Sequence, residues 1–448
     1  MIRRLFYAAC ALALPFAGSA QAAVPTPGAP QAKPVAIVGA MLHTVSGADI
    51  APGTIVFDKG KIVALGATGS TPVPAGAEVV DGAGKHVYPS LIDAWTNLGL
   101  TEIDANRPTR DYAETAALAP NVRADQAFQP ESELMPVARA NGVLLANVTP
   151  RGGLLSGQAA MMELDGWTNA DMTLRAPLGA VVNWPGMVIV RGEGPPEPVQ
   201  RDNRDRALKA LAQAFDDAAA YRAARAAAET GKGPAVPHDR RWEALLPVLE
   251  RKLPLLVSAE EVHQIEAAVA FADERKLRLI IYGGYDAPMV AGLLKAHDVG
   301  VIVSSVQRLP RRRSDAYDAP FTVPARLAAA GVTIAIANGG GSWNERNLPY
   351  QAATAEAYGL PTADALKSIT LGPAQILGVA DRVGVLEAGK DATLIVADGD
   401  ILDEPTHVLS AWIEGRAVDL NDRQKTLDAK YRTKYRRLGI LPAESVKP

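Results

Sequence analysis

The side chains that carry most enzyme chemistry are few in this chain and widely spread. The histidines are His43, His86, His238, His263, His297 and His407. His43 and His407 fall in the end portions of the chain, and His86 and His297 precede strands. His238 follows a long helix, and His263 lies inside a helix. Each reads as a surface or structural histidine, with His238 and His263 the two worth tracing to a pocket. The single cysteine, Cys10, lies inside an N-terminal apolar run. A processed chain would therefore have neither a thiolate nucleophile nor a disulfide. No Gly-x-Ser-x-Gly elbow is present. Asn338-Gly339-Gly340-Gly341-Ser342 is glycine-rich, but no Lys-Ser/Thr pair follows it, so it reads as a loop rather than a phosphate cradle.

What remains is carboxylate, phenol and guanidinium chemistry. Glu260-Glu261 follows an apolar strand, and Glu260 is the better pocket acid; Tyr282 ends the next strand. Carboxylates alone could hold magnesium or calcium, but Asp93 reads as structural. Arg308-Leu309-Pro310-Arg311-Arg312-Arg313 follows a later strand. Arg308 and Arg311 there are candidates for contacting an anionic ligand such as a carboxylate; the competing reading is a solvated basic loop.

These residues need a scaffold. The chain has 448 residues, 48% hydrophobic and 21% charged, which suits a barrel plus an accessory domain. A net charge of −3 and 5% aromatic content exclude a nucleic-acid partner. Arg3-Arg4, the apolar run Leu5 to Gly18 and Ala20-Gln21-Ala22 form a signal peptide, with cleavage expected near Ala22/Ala23 and a periplasmic or secreted destination. No later run is long and apolar enough to cross a membrane.

Strand-like pieces at Val35–Val38, Gly53–Asp58, Lys61–Leu65 and Glu78–Asp81 are matched near the other end by Thr393–Ala397, Ala411–Ile413 and Ala417–Asp419. The two sets are expected to pair into one β-sandwich. Between them, apolar runs alternate with helical segments: Val87–Asp93, Val143–Val148, Ala180–Val182, Leu255–Ser258, Leu279–Tyr282, Val301–Ser304 and Thr333–Ala337, with an eighth in the Gly157–Leu164 region. Continuous apolar runs suit parallel strands covered on both faces. The fold class is α/β: a (β/α)8 TIM-type barrel with a small discontinuous β-sandwich domain formed by both chain ends. The expected division is a signal peptide over 1–23, a linker over 24–34, sandwich over 35–86, barrel over 87–378, sandwich over 379–420, and a basic helix with its tail over 421–448. The Ala/Arg-rich helix at about 200–230 reads as an insertion packed on the barrel wall, or else a lid. The C-terminal basic helix, with Tyr431 and Tyr435 on one face, reads as docked on its own domain, or else as a membrane-surface element.

Tyr88-Pro89-Ser90-Leu91-Ile92-Asp93-Ala94-Trp95-Thr96-Asn97 closely resembles the first barrel strand of the amidohydrolase superfamily, where the pattern is P-G-x-I-D-x-H-x-H. Gly384 to Val396 resembles that superfamily's G-x-L-x-x-G-K-x-A-D-L-V-V, with Thr393 in place of Asp. Gly153 to Gln158, Arg346 to Tyr350, Ala355 to Gly359 and Ala365 to Ala374 are similar to an imidazolonepropionase-like and prolidase-like periplasmic branch. The resemblance implies hydrolysis of C–N bonds in cyclic amides or small peptide-like amides. It also implies one or two divalent metals, zinc or another, that ionise a water, and a carboxylate on the last strand that shuttles the proton.

At the positions where the resemblance implies metal ligands and the catalytic acid, this chain has Trp95, Asn97, Ser258, Tyr282 and Asn338. Neither Trp nor Asn is a usual zinc ligand, and an amide cannot take up a proton. The expectation is an exported, metal-free and catalytically impaired amidohydrolase-fold protein without a cofactor. It would bind a small amide-like ligand, or partner an intact relative or its own copy. The alternative is an active, divergent amidohydrolase acting on cyclic amides or acyl-amino-acid and dipeptide-like substrates, with Glu260 or Tyr282 as acid/base. The barrel mouth near Trp95 is expected to be dry and small.

Overall fold

The computed structural model describes residues 26–442 apart from Arg191, Glu193 and Gly340. The expected signal peptide, with Cys10 and its cleavage site, lies outside the described residues. Two eight-stranded sheets organise the chain.

The first sheet draws on both chain ends. Its strands are β1 (Val35–Leu42), β2 (Ile50–Asp58), β3 (Lys61–Ala67), β4 (Glu78–Asp81) and β5 (His86–Pro89) from one end. The second sheet then intervenes with β6 (Leu91–Thr96), β7 (Val143–Val148), β8 (Leu155–Glu163), β9 (Thr173–Asn183), β10 (Leu255–Ala259), β11 (Leu279–Gly283), β12 (Gly300–Val303) and β13 (Ile334–Ile336). The first sheet resumes with β14 (Leu394–Ala397), β15 (Val408–Ile413) and β16 (Arg416–Ala417). Its order is β16-β15-β14-β5-β1-β2-β3, with β4 on β1. The β14–β5 ladder joins the two ends antiparallel, pairing Ile395 with Tyr88 and Val396 with Val87. It is hydrogen-bonded as one continuous sheet, around a core that includes Ile37, Leu42, Phe57, Leu394 and Trp412.

The run expected as one strand, Val87 to Asp93, is two strands that break at Ser90. His86–Pro89 belongs to the end sheet and Leu91–Thr96 opens the barrel. The Ser90 hydroxyl ties the break, donating to the Leu91 carbonyl and accepting from the Leu144 amide.

The second sheet is a nearly closed barrel in sequential order β6 to β13. Its ladders are parallel except at β8, which runs antiparallel to both β7 and β9. The linker from β7 to β8 explains this. Residues 149–154 are too few for a crossover helix, so the chain turns back as a hairpin. Along β10 to β12, Leu255, Val257, Leu279, Ile281, Val301 and Val303 pack outward against helices. Leu256, Ile280 and Ile302 pack inward. That alternation sends Ser258 and Tyr282 inward at the strands' C-terminal ends. Ile376, Leu377, Val379 and Val383 join the inner cluster.

The expected insertion helix is Glu197–Glu229, packed by Leu211, Ala214, Phe215, Ala218 and Tyr221. Phe215 meets Phe271 edge-on across 5.4 Å, seating it on the barrel-wall helix Val262–Glu274. The C-terminal helix, Arg423–Arg437, differs from expectation: none of its residues is buried. Its first turn lies beside the segment Met135–Arg139, with Gln424 and Lys425 lining a cavity shared with Val137 and Asn141, while most of the rest of the helix is exposed.

Candidate functional site

The barrel's C-terminal mouth is organised by β6. Ile92, Ala94 and Trp95 all belong to the inner cluster, although strict alternation would turn Trp95 away from Ala94's side. The β6–β7 register shifts between Asp93 and Thr96, and this irregularity lets two consecutive residues face inward. Trp95 lies flat on Tyr282, with ring centroids 4.1 Å apart and planes 4° apart. Trp95 is only 3% exposed. Tyr282 lies opposite Ser258 in the β10–β11 register, and Ser258 opposite Asn183. Burial pushes the Tyr282 phenol well above its ordinary range, and the negative charges of Asp93 and Glu260 add to the shift. It stays a neutral hydroxyl at working pH.

Asn97 and Asn338 are both buried. The Asn338 amide N–H donates to Asp93 Oδ2 across 3.2 Å, and its side-chain amide donates to the Gly341 carbonyl. The five residues at the positions discussed above therefore occupy one region, the top of the barrel. Their chemistry is indole, two amides, a hydroxyl and a phenol. That set does not make a zinc site, which takes imidazole, thiolate or carboxylate donors. Among the described residues no group of three or more His, Cys, Asp or Glu is placed to hold a metal ion.

Beside the ring stack lies a pair of carboxyl groups. Asp93 and Glu345 are both buried and lie close enough to act on each other's ionisation. Asp93 Oδ1 accepts from the Trp95 amide at 2.9 Å, and Oδ2 accepts from the Asn338 amide. The Thr96 hydroxyl donates to Glu345. Burial raises both carboxyl pKa values; Glu345 rises further because it also faces the Asp93 charge. The two backbone N–H donors favour ionised Asp93 and so work against the effect of its burial. The positive charge of Arg151 acts on Asp93, Glu345 and Tyr282 alike. Neither Glu345 nor Arg151 stands out in the sequence. The only signal for Glu345 is its place between the glycine loop after β13 and the Arg346–Tyr350 phrase.

Glu260 is engaged by a neighbour. Arg308 donates to both of its oxygens, at 2.7 and 3.0 Å, and the Tyr285 amide adds a third contact at 3.1 Å. Arg311 reaches Glu261 at 3.5 Å, and Arg312 pairs with buried Asp286. The arginine-rich loop thus ties the loops after β10 and β11 together through their acids, with Arg308 also over the Tyr285 ring at 5.0 Å. An anion reaching Arg308 or Arg311 would have to compete with Glu260 and Glu261. His263 pairs with Glu266 and His238 lies 4.0 Å from Glu243; both are well exposed, and neither is among the contacts of the mouth residues described above. His43 and His86 meet each other in the end sheet, Nε2 to Nδ1 at 2.9 Å.

Residues 250–421 match the amidohydrolase family model. An amidohydrolase of Hapsidospora irregularis is 21% identical over 82% of this chain, though the match spans only 40% of that protein. A 5-methylthioadenosine/S-adenosylhomocysteine deaminase of Halobacterium salinarum is 26% identical, covering 81% of this chain and 83% of the relative. The crystal structure of an amidohydrolase from Thermotoga maritima superposes with a TM-score of 0.77 at 24% identity, over 86% of this chain and 99% of that one. Residues 250–421 thus match the amidohydrolase family, and the barrel with its split end sheet shares the fold of the Thermotoga maritima amidohydrolase.

Proposed function

We propose that this is an exported amidohydrolase-superfamily protein whose barrel mouth works without a metal and whose C–N hydrolysis is impaired. It serves instead to hold a small amide-like molecule, or to partner an intact relative or a second copy. The observation that carries this reading is the Trp95–Tyr282 stack. Two positions that the resemblance assigns to metal ligands are filled by aromatic rings in contact, Trp95 buried and Tyr282 partly so, and stacked rings there leave little room for a hydrated ion. Export rests on the basic, apolar and A-x-A segments at the N-terminus. The test is metal content. Protein purified and dialysed without strong chelator should hold only substoichiometric zinc, manganese or iron. One tightly held equivalent per chain would overturn the reading.

The Asp93–Glu345 pair favours a second reading, a divergent hydrolase. A buried pair of carboxyl groups with raised pKa values is a competent acid/base device once substrate reaches it. A panel of N-acyl amino acids, dipeptides and lactams separates the two readings. We expect no turnover. Turnover abolished in a folded Glu345→Gln variant would establish the second reading instead.

A further inference from the structure

The C-terminal helix Arg423–Arg437 is a surface element that meets the body only lightly. It is capped by Asp422, whose side chain accepts from the Lys425 amide at 2.8 Å. Fifteen residues of isolated helix are marginal in water, and none of this one's residues is buried. Leu427, Tyr431, Tyr435 and Leu438 recur at spacings of four, four and three, so they form one stripe along the helix. They are 40%, 47%, 40% and 61% exposed. The rest of the circumference is cationic, with seven Lys and Arg against the single acid Asp428. Lys430 and Lys434 flank the stripe on one side, and Lys425 and Arg432, the latter paired with Asp428 at 2.6 Å, lie beyond it on the other. Lys434 Nζ sits within 5.9 Å of both tyrosine ring centres.

We propose that this helix is a binding surface for an anionic lipid bilayer. It would lie in the headgroup plane, with its apolar stripe inserted and its basic flanks on lipid phosphates. Two features favour a bilayer over an acidic protein. The positive charge is spread along both sides of the stripe, which fits a continuous negative plane better than discrete acidic contacts. The stripe is half tyrosine, a ring with an apolar body and a polar tip that suits the headgroup boundary. No helix among the described residues is long and apolar enough to cross a membrane, so the contact would be peripheral. Outside this helix the chain is net negative, so the helix would also set which side faces the lipid.

The test is co-sedimentation with vesicles of phosphatidylglycerol and phosphatidylcholine, compared with phosphatidylcholine alone. Wild type, a Lys430→Glu/Lys434→Glu variant and a Tyr431→Ser/Leu438→Ser variant are compared in the same full chain. Any contribution from the N-terminal apolar run is then common to all three. Wild type should bind the anionic vesicles, release as salt rises and ignore the neutral ones. Charge reversal should weaken partitioning by roughly tenfold or more, and the serine variant should also weaken it while the barrel's unfolding midpoint stays unchanged. Equal binding by all three proteins, or no binding by wild type at low salt, would overturn the proposal. So would a wild-type dimer in light scattering that charge reversal converts to monomer, which would assign the helix to self-association.

Discussion

Trp95→Ala is expected to destabilise the barrel by about 3–5 kcal/mol, the range for removing a large buried aromatic side chain. The cost has two parts. The indole is withdrawn from the inner cluster, where it packs with Ile92, Ala94 and other inward residues. It also leaves the face of Tyr282, a stacked contact worth about 0.5–1.5 kcal/mol beyond its area. The cavity cannot collapse easily, because Tyr282 is fixed on β11 and the Trp95 backbone is held by Asp93. Trp95→Phe keeps an aromatic face on Tyr282 and should lose less than half as much. Urea unfolding followed by far-UV circular dichroism measures both. A loss below about 1 kcal/mol for Trp95→Ala would mean that the mouth is not packed around the indole. In that case Trp95 is better understood as a surface offered to a ligand.

That result bears on how far the site was legible from the sequence. The apolar runs between Leu255 and Ala337 show the barrel because parallel strands buried on both faces leave nothing polar to interrupt them. The Val262–Glu274 helix and the Glu78–Asp81 strand are likewise visible residue for residue. The split at Ser90 is not visible. Tyr88 and Ile92 are equally apolar, and only pairing with β14 on one side and β7 on the other separates them. The reversed direction of β8 follows from a short linker, which the residues alone express only weakly. At the mouth, Trp95, Tyr282, Ser258 and Asn338 could be placed because each ends a strand. Glu345 could not, because it lies in a 3-10 segment after the last strand and meets Asp93 only in three dimensions. Glu260 invites a catalytic reading as an acid near a strand end. Its partner Arg308 is 48 residues away, a separation no local pattern reveals.

Glu163 is the other position with a large expected effect, and here the variable is pH. It ends β8 at the seam between barrel and end sheet, where Arg416 reaches its Oε2 at 3.3 Å. Its Oε1 is buried without a hydrogen-bond partner. Burial is the largest influence on its carboxyl, and the charge of Glu414 adds to it. Together these outweigh Arg416 and Arg382, and the pKa is pushed up to about 8. The arginines fall short because they are shared. Arg416 also approaches Asp165, itself bonded to buried Arg139, and Arg382 serves Asp391 and Glu414. The folded protein therefore keeps a proton on Glu163 at pH values where the unfolded chain has released it. Below about pH 4.5, both states hold the proton and no stability is lost through this group. As pH rises from there through about 8, stability falls, because folding must take up a proton from an ever scarcer supply. The full loss is on the order of 5 kcal/mol. The buried Asp93–Glu345 pair, also raised, acts in the same direction. Glu163→Gln removes the titrating group while keeping its shape. The variant should therefore gain stability relative to wild type as pH increases from 5 to 9, and its own stability should vary less steeply with pH over that range. Urea midpoints at intervals across the range decide the matter. Parallel curves for the two proteins would show that Glu163 is ionised in the folded state and held by Arg416 after all.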